Sequence, residues 1–156
     1  HQVEVTSGGE HDPMRKKIIL IISALIVFLV LAQWIPVRRT NSPVETEVPA
    51  PAEVKSILKR ACYDCHSNET VWPWYSRVAP ISWMVAWDVH RGRNEFNFSA
   101  WNRLDKKDHA KKIKGCWKEV SEDEMPPLVY RLAHPDARLS SEDKEILHQW
   151  ALSQYQ

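Results

Sequence analysis

The chain has 156 residues, with 21 Lys and Arg against 20 Asp and Glu, so its formal net charge is +1. This balance excludes the strongly basic proteins that bind nucleic acid through bulk charge, and the length suits one domain with an appendage. Eight tryptophans suit a small core built around a large flat ligand, or simply an aromatic core.

An uncharged segment lies near the N-terminus. Residues 18–35 read IILIISALIVFLVLAQWI and contain no charged side chain. A helix of this length spans about 27 Å, close to the hydrocarbon thickness of a bilayer. Three basic residues precede the segment and two follow it, which favours a cytoplasmic N-terminus. We therefore predict a cytoplasmic tail over 1–17 and a single transmembrane anchor over 18–35, with a cleaved signal peptide as the alternative.

A proline-rich segment follows the apolar one. Residues 36–51 contain four prolines and few large apolar side chains. This composition is typical of a semi-extended linker. The folded domain is then expected over 52–156.

Within that domain the hydrophobic periodicity is helical. Apolar residues recur at helical spacing over 53–65 and 107–121, whereas 80–91 is apolar nearly all round and is expected to be a buried central helix. The sequence Ser140-Ser141-Glu142-Asp143 resembles a capping box and predicts the start of a last helix. No segment alternates with period two for long enough to form a strand, so the predicted fold class is all-α.

The stretch ACYDCHSNETVWPWYS contains Cys62, Cys65 and His66. C-x-x-C-H is the attachment signature of a c-type haem, in which two thiols bond the porphyrin and the imidazole reaches the iron. A zinc site, a redox-active dithiol and a structural disulfide are the alternatives. Zinc usually needs four ligands, but only Cys116 remains among the cysteines, and a thioredoxin-like site needs a βαβ context that is lacking here. One covalent haem c is therefore the favoured interpretation.

Met125 is the candidate distal ligand of the iron. It precedes two successive prolines in SEDEMPPLVY, and a following proline disfavours helical dihedrals for Met125. A rigid, non-helical loop suits a weak thioether ligand, although a methionine that fills a gap in a loop is the alternative. Met84 is expected in the core, His90 is the alternative distal ligand, and His134 is expected to form hydrogen bonds rather than to bind iron.

Three blocks of sequence carry a resemblance to a known family. From about Val54 to Trp150, the blocks CxxCHSNxTxxPWYS, GR…NFSxW and MPP…Y…HPxAxLS resemble the haem-binding domain family of small bacterial monohaem proteins. The resemblance implies a small cytochrome c-like helical domain that encloses one covalent haem, attached at Cys62 and Cys65. It also implies His66 as the proximal ligand and Met125 as the distal one. The family more often has an acidic residue where this chain has His90.

Further residues acquire candidate roles from this resemblance. Trp72, Trp74 and Tyr75 follow the attachment motif directly and could line the haem or pack a helix junction. Arg91 and Arg93 could pair with the haem propionates, because a guanidinium suits a carboxylate; solvated surface side chains are the alternative.

These expectations combine into one functional hypothesis. Ligation by His and Met leaves no open iron position and suits one-electron transfer. We expect an electron carrier rather than an enzyme, anchored in the bacterial inner membrane with its haem domain in the periplasm and a redox protein or membrane complex as its partner. The alternatives are a haem-bearing accessory subunit of a larger membrane complex, and a haem sensor or peroxidase-like protein with a displaceable distal ligand.

Overall fold

A computed structural model of the chain describes residues 13–154. Helices form almost all of the regular structure in this range. The α-helices within this range are α1 Pro13–Ala32, α2 Ala52–Ala61, α3 Tyr63–His66, α4 Ile81–Glu95, α5 Lys106–Ser121, α6 Leu128–Ala133 and α7 Ser141–Ser153. Short 3-10 helices lie at Trp74–Arg77, Trp101–Arg103 and Pro135–Ala137. The described residues contain no strand, only an isolated parallel bridge between Thr46 and Ala100. The all-α prediction is confirmed. Most of the predicted tail over 1–17, and the last two residues of the predicted domain, lie outside the described range.

Local sequence signals explain where two of the long helices begin. At the start of α5 the carboxylate of Asp105 accepts a hydrogen bond from the backbone N–H of Asp108 at 2.8 Å. At the start of α7 a capping box joins Ser140 and Asp143, and each side chain accepts from the other residue's backbone N–H. Such caps satisfy donors that the first helical turn leaves unpaired, and the predicted start of the last helix is confirmed.

The core lies where α2, α5 and α7 pack together. Leu58 of α2, Ile113 of α5 and Leu147 of α7 are all buried in one cluster of apolar side chains. Tyr63, Phe96, Phe98 and Trp101 extend this cluster toward the short helices and loops. Because α2 ends at the C-x-x-C-H motif, the motif is connected directly to this core.

Helix α1 ends earlier than the sequence suggested. It stops at Ala32, so the uncharged part of the helix covers only 18–32 and spans about 22 Å, against roughly 30 Å for the hydrocarbon core of a bilayer. Across residues 13–154, none of the helices has both the length and the apolar character that a membrane crossing requires. The transmembrane anchor predicted over 18–35 is therefore not supported.

The proline-rich segment over 36–51 is extended but is not a free linker. Its backbone pairs with the loop after α4: the N–H of Val48 donates to the carbonyl of Phe98 at 3.0 Å, and the N–H of Trp101 donates to the carbonyl of Thr46 at 3.0 Å. The side chain of Val48 is 0% exposed and belongs to the core. The predicted domain start at residue 52 is therefore too late, because the segment before it is part of the folded unit.

Replacing Val48 with Ala tests this correction. Removing two buried methylene equivalents should lower the free energy of unfolding by about 2 kcal/mol. Val44→Ala is the matched control, since Val44 lies on the same segment but is 46% exposed, and we expect a change within about 0.5 kcal/mol. Urea unfolding of both variants provides the measurement. Equal, small effects would show that the segment is not packed on the domain.

Candidate functional site

The C-x-x-C-H motif forms one tight turn at the end of α2. The helix predicted over 53–65 is interrupted at Cys62, whose φ of −127° and ψ of −33° separate α2 from the single turn of α3. The N–H groups of Cys65 and His66 both donate to the carbonyl of Cys62, at 3.2 and 2.9 Å. The two thiols and the imidazole therefore lie on a turn whose backbone is held by hydrogen bonds within the motif itself.

The orientation of His66 is fixed by the end of α4. Its Nδ1 lies 3.1 Å from the carbonyl oxygen of Phe96. Since a carbonyl only accepts, Nδ1 must donate, and in the neutral ring Nε2 is left as the metal-binding nitrogen. Desolvation lowers the pKa of His66, while the carbonyls of Phe96 and Gly92 oppose this effect. Burial thus favours the neutral imidazole, which is the form that binds a metal.

Gly92 allows α4 to approach the turn closely. A Cβ at this position would lie 2.5 Å from the carbonyl oxygen of Cys65 and 3.1 Å from its Cβ. Any side chain here would push α4 away and move the Phe96 carbonyl that holds His66. The sequence reasoning missed Gly92, although its place between two arginines in an apolar helix was a signal for close packing.

The two thiols of the motif have different neighbours. Desolvation and the nearby carboxylates of Asp88 and Asp64 raise the pKa of Cys65 to about 12. Cys62 packs against the apolar core, and desolvation raises its pKa as well. Both sulfurs are therefore protonated thiols at neutral pH in the folded chain.

A network of side chains ties α6 to the same turn. The hydroxyl of Tyr130 donates to Asp64, between the two cysteines, at 2.7 Å. Tyr130 stacks on His134 with ring centroids 4.3 Å apart, and a 2.6 Å hydrogen bond joins Nε2 of His134 to the hydroxyl of Tyr75. His134 therefore forms hydrogen bonds, as expected. Asp64 and Tyr130 were not predicted as site residues.

Met125 lies in the loop between α5 and α6. Its backbone N–H donates to the carbonyl of Glu119 at 3.2 Å, and its side chain is 37% exposed. Tyr130, five residues further along, anchors this part of the chain to Asp64. The alternative ligand His90 is exposed, and its Nε2 pairs with the amide of Asn94 at 3.0 Å on the surface of α4.

Large apolar side chains are exposed on the elements next to the turn. Trp74 is 77% exposed on its 3-10 helix, and Trp87 and Met84 of α4 are 64% and 58% exposed. The prediction that Met84 and its helix are buried is therefore wrong. On α6, Leu128, Val129 and Leu132 are exposed as well.

Three buried donors have no acceptor among the described residues: Nε1 of Trp83 on α4, Nε of Arg131 on α6 and Nε1 of Trp150 on α7. Trp83 and Arg131 lie on the two helices that carry exposed apolar side chains. Exposed apolar surface together with buried unpaired donors marks a ligand site. Its chemistry fits a flat apolar group that carries carboxylates, such as a porphyrin.

The remaining predicted residues divide into two groups. Arg93 donates four hydrogen bonds, to the carbonyls of Ser67 and Thr40, the amide oxygen of Asn41 and the hydroxyl of Thr70. The indole N–H of Trp72 also donates to Asn41, at 3.3 Å. Arg93 and Trp72 thus hold the proline-rich segment on the domain. Arg91 is exposed and available to an external carboxylate.

No group of three or more His, Cys, Asp or Glu side chains within residues 13–154 is arranged to hold a metal ion. The zinc alternative therefore finds no protein-only ligand cluster in the described part of the chain. A family model described as a haem-binding domain matches residues 27–153, which is well over half of the chain. No curated protein and no solved structure shows a significant match.

Replacing each of two helical glycines with alanine tests the close contact at the turn. Gly92→Ala should lower the free energy of unfolding by about 1–3 kcal/mol, because the new Cβ meets backbone atoms that cannot move freely. Gly115→Ala is the control: Gly115 lies in α5, where a Cβ meets nothing within 4 Å, so the variant should gain roughly 0.5–1 kcal/mol of helix stability. Urea unfolding measures both, and a Gly92→Ala variant as stable as Gly115→Ala would contradict the packing described here.

Proposed function

We propose, from the premise that this chain belongs to the haem-binding domain family, that it is a monohaem c-type cytochrome that transfers single electrons. Membership of this family indicates that the cofactor of the chain is haem. Covalent attachment, the two axial ligands and electron transfer are our proposals, and the following paragraphs give what supports each.

The hydrogen bond from Nδ1 of His66 to the Phe96 carbonyl carries this proposal. It fixes the tautomer that leaves Nε2 for an axial metal bond, and it resists rotation of the ring. In the proposal Cys62 and Cys65 hold the haem through thioethers, and His66 is the proximal ligand. A structural disulfide or a redox-active dithiol does not require an imidazole that is held in this orientation.

Met125 is the proposed distal ligand. The backbone N–H of Met125 is bound to the carbonyl of Glu119 in the last turns of α5, and Tyr130 of α6 is bound to Asp64, so the loop is tethered on both sides of Met125. When bound, the haem supplies a one-electron iron couple whose potential His and Met ligation raises. The part played by the chain is to hold both ligands in place and to exclude water from them.

Aromatic and charged residues complete the proposed haem site. Trp74, whose indole is mostly exposed, and Tyr75, which is fixed by His134, would line the ring. Arg91 is the proposed partner of a propionate, because its guanidinium is exposed and arginine suits carboxylates. Trp72 and Arg93 would support the haem site indirectly, by holding the proline-rich segment on the domain.

We further propose that the protein is an electron carrier rather than an enzyme. Two protein ligands on the iron would leave no position for a substrate. A redox protein or a subunit of a membrane complex would be its partner. Because c-type haem is attached on the far side of the bacterial inner membrane, we propose that the haem domain lies in the periplasm.

Substitution of Met125 by Ala tests the proposed ligand set. The variant should lose the weak sulfur-to-iron charge-transfer band of the oxidised protein, bind carbon monoxide when reduced, and have a lower reduction potential. Met84→Ala, which removes the other methionine of the haem domain, is the matched control and should leave all three unchanged. Visible spectra and redox titration of the purified variants provide the measurements.

The same spectra separate the competing ligand sets. If Met125→Ala leaves the spectrum unchanged while His90→Ala alters it, then His90 is the ligand and the proposal is wrong on this point. If the unaltered protein already binds carbon monoxide rapidly, its distal site is open, as a sensor or peroxidase-like protein requires.

A further inference from the structure

The third cysteine of the chain lies beside the attachment motif. Cys116 of α5 and Cys62 at the end of α2 line the same cavity, whose volume is about 20 Å³. A cavity of this size holds roughly one water molecule. The side chains that line it, including Leu58, Ile113 and Leu147, therefore leave room for about one water molecule between them.

The electrostatic surroundings of Cys62 agree with this proximity. After desolvation, the charge that raises the pKa of Cys62 most is that of Cys116, ahead of Cys65 of the same motif. Desolvation also raises the pKa of Cys116, to about 11. In the folded chain Cys116, 54 positions away in the sequence, thus lies close enough to Cys62 to affect its pKa.

We propose that Cys116 is an alternative covalent partner of Cys62, so that the haem-free chain forms a Cys62–Cys116 disulfide that excludes haem attachment. The proposal rests on the proposed function only in assigning Cys62 to the haem. The bond itself requires only the placement of the two sulfurs.

The step is an exchange with an external disulfide, which is the oxidant. Each thiol loses a proton, the two sulfurs bond, and the external disulfide accepts two electrons and leaves as two thiols. The raised pKa values of both thiols make direct attack slow in the closed domain. The exchange is therefore slow, and it requires α5 and α2 to open only far enough for the external disulfide to reach one of the two sulfurs.

Disulfide formation at Cys62 and haem attachment are mutually exclusive, because one sulfur cannot make both bonds. With Cys62 bonded to Cys116, Cys65 is the only thiol of the motif that can still form a thioether with haem. Apolar side chains around the two sulfurs shield the bond from a reducing thiolate. Haem loading of the oxidised chain then depends on prior reduction.

Disulfide mapping of the full haem-free chain tests the proposal. The chain is folded with oxidised glutathione, its remaining thiols are alkylated, and it is digested with trypsin and with a protease that cleaves before Asp64 and so separates Cys62 from Cys65. The expected product links Cys62 to Cys116, with Cys65 alkylated or carrying glutathione. A chain in which Cys62 pairs only with Cys65, in which Cys116 pairs with Cys65, or in which all three cysteines are free overturns the proposal.

Two variants give the matched comparison. Cys65→Ser should keep the linked product, whereas Cys116→Ala should yield only the Cys62–Cys65 bond, in which Cys65 lies outside the apolar lining of the cavity. Reduction by dithiothreitol should then be about tenfold slower in the unaltered chain than in Cys116→Ala, because of the apolar shielding. Equal rates count against the proposal, and Cys116→Ser serves as a second variant if the alanine variant fails to fold.

Haem loading distinguishes this inference from the proposed function. The mapping uses no haem, so a Cys62–Cys116 bond in a chain that never attaches haem after reduction would contradict the proposed function alone. Efficient haem attachment to a chain that never forms this bond would contradict the inference alone.

Discussion

The close contact between the backbone of α4 at Gly92 and the carbonyl of Cys65 positions the rest of the site. With α4 this near, its last turn brings the Phe96 carbonyl to Nδ1 of His66. The loop that follows pairs with the backbone of the attachment turn, where the N–H of Phe98 donates to the carbonyl of His66 at 2.8 Å. The proline-rich segment over 36–51 packs against that loop through backbone hydrogen bonds. A single glycine thus connects the orientation of the His66 imidazole to the packing of the N-terminal part of the domain.

The second half of the site depends on Asp64, which occupies a variable position within C-x-x-C-H. One carboxylate oxygen accepts from Tyr130 at 2.7 Å and the other from the N–H of Val71 at 2.8 Å. The first bond holds α6 and the loop that carries Met125, and the second holds the chain that leads to Tyr75. Charge-assisted hydrogen bonds of this kind are stronger and more directional than neutral ones. The turn therefore organises both the proposed proximal and the proposed distal side of the haem.

The sequence predicted those features whose causes are local. The capping box at Ser140 and the motif at Cys62 follow from neighbouring residues alone, and both the α7 start and the all-α class were confirmed. Packing between segments that are distant in the sequence could not be predicted from the sequence alone. Val48 looked like part of a linker because its burial depends on a loop fifty residues away. Met84 looked buried because an exposed apolar helix face has the same composition as one that packs in the core. The end of α1 at Ala32 is likewise not marked by any charge or proline within the apolar run.

Intact-mass measurement under denaturing conditions is the most direct test of the central claim that the turn at Cys62, Cys65 and His66 holds one covalent haem. The full chain is produced in bacteria that attach c-type haem, then unfolded in acid and organic solvent, which release any haem held only by ligation. The account predicts that the mass of one haem stays with the chain, and that Cys65→Ser and Cys62→Ser reduce or abolish this retained mass. A chain that purifies with haem but loses all of it on unfolding, or that retains it equally in both variants, would contradict the account.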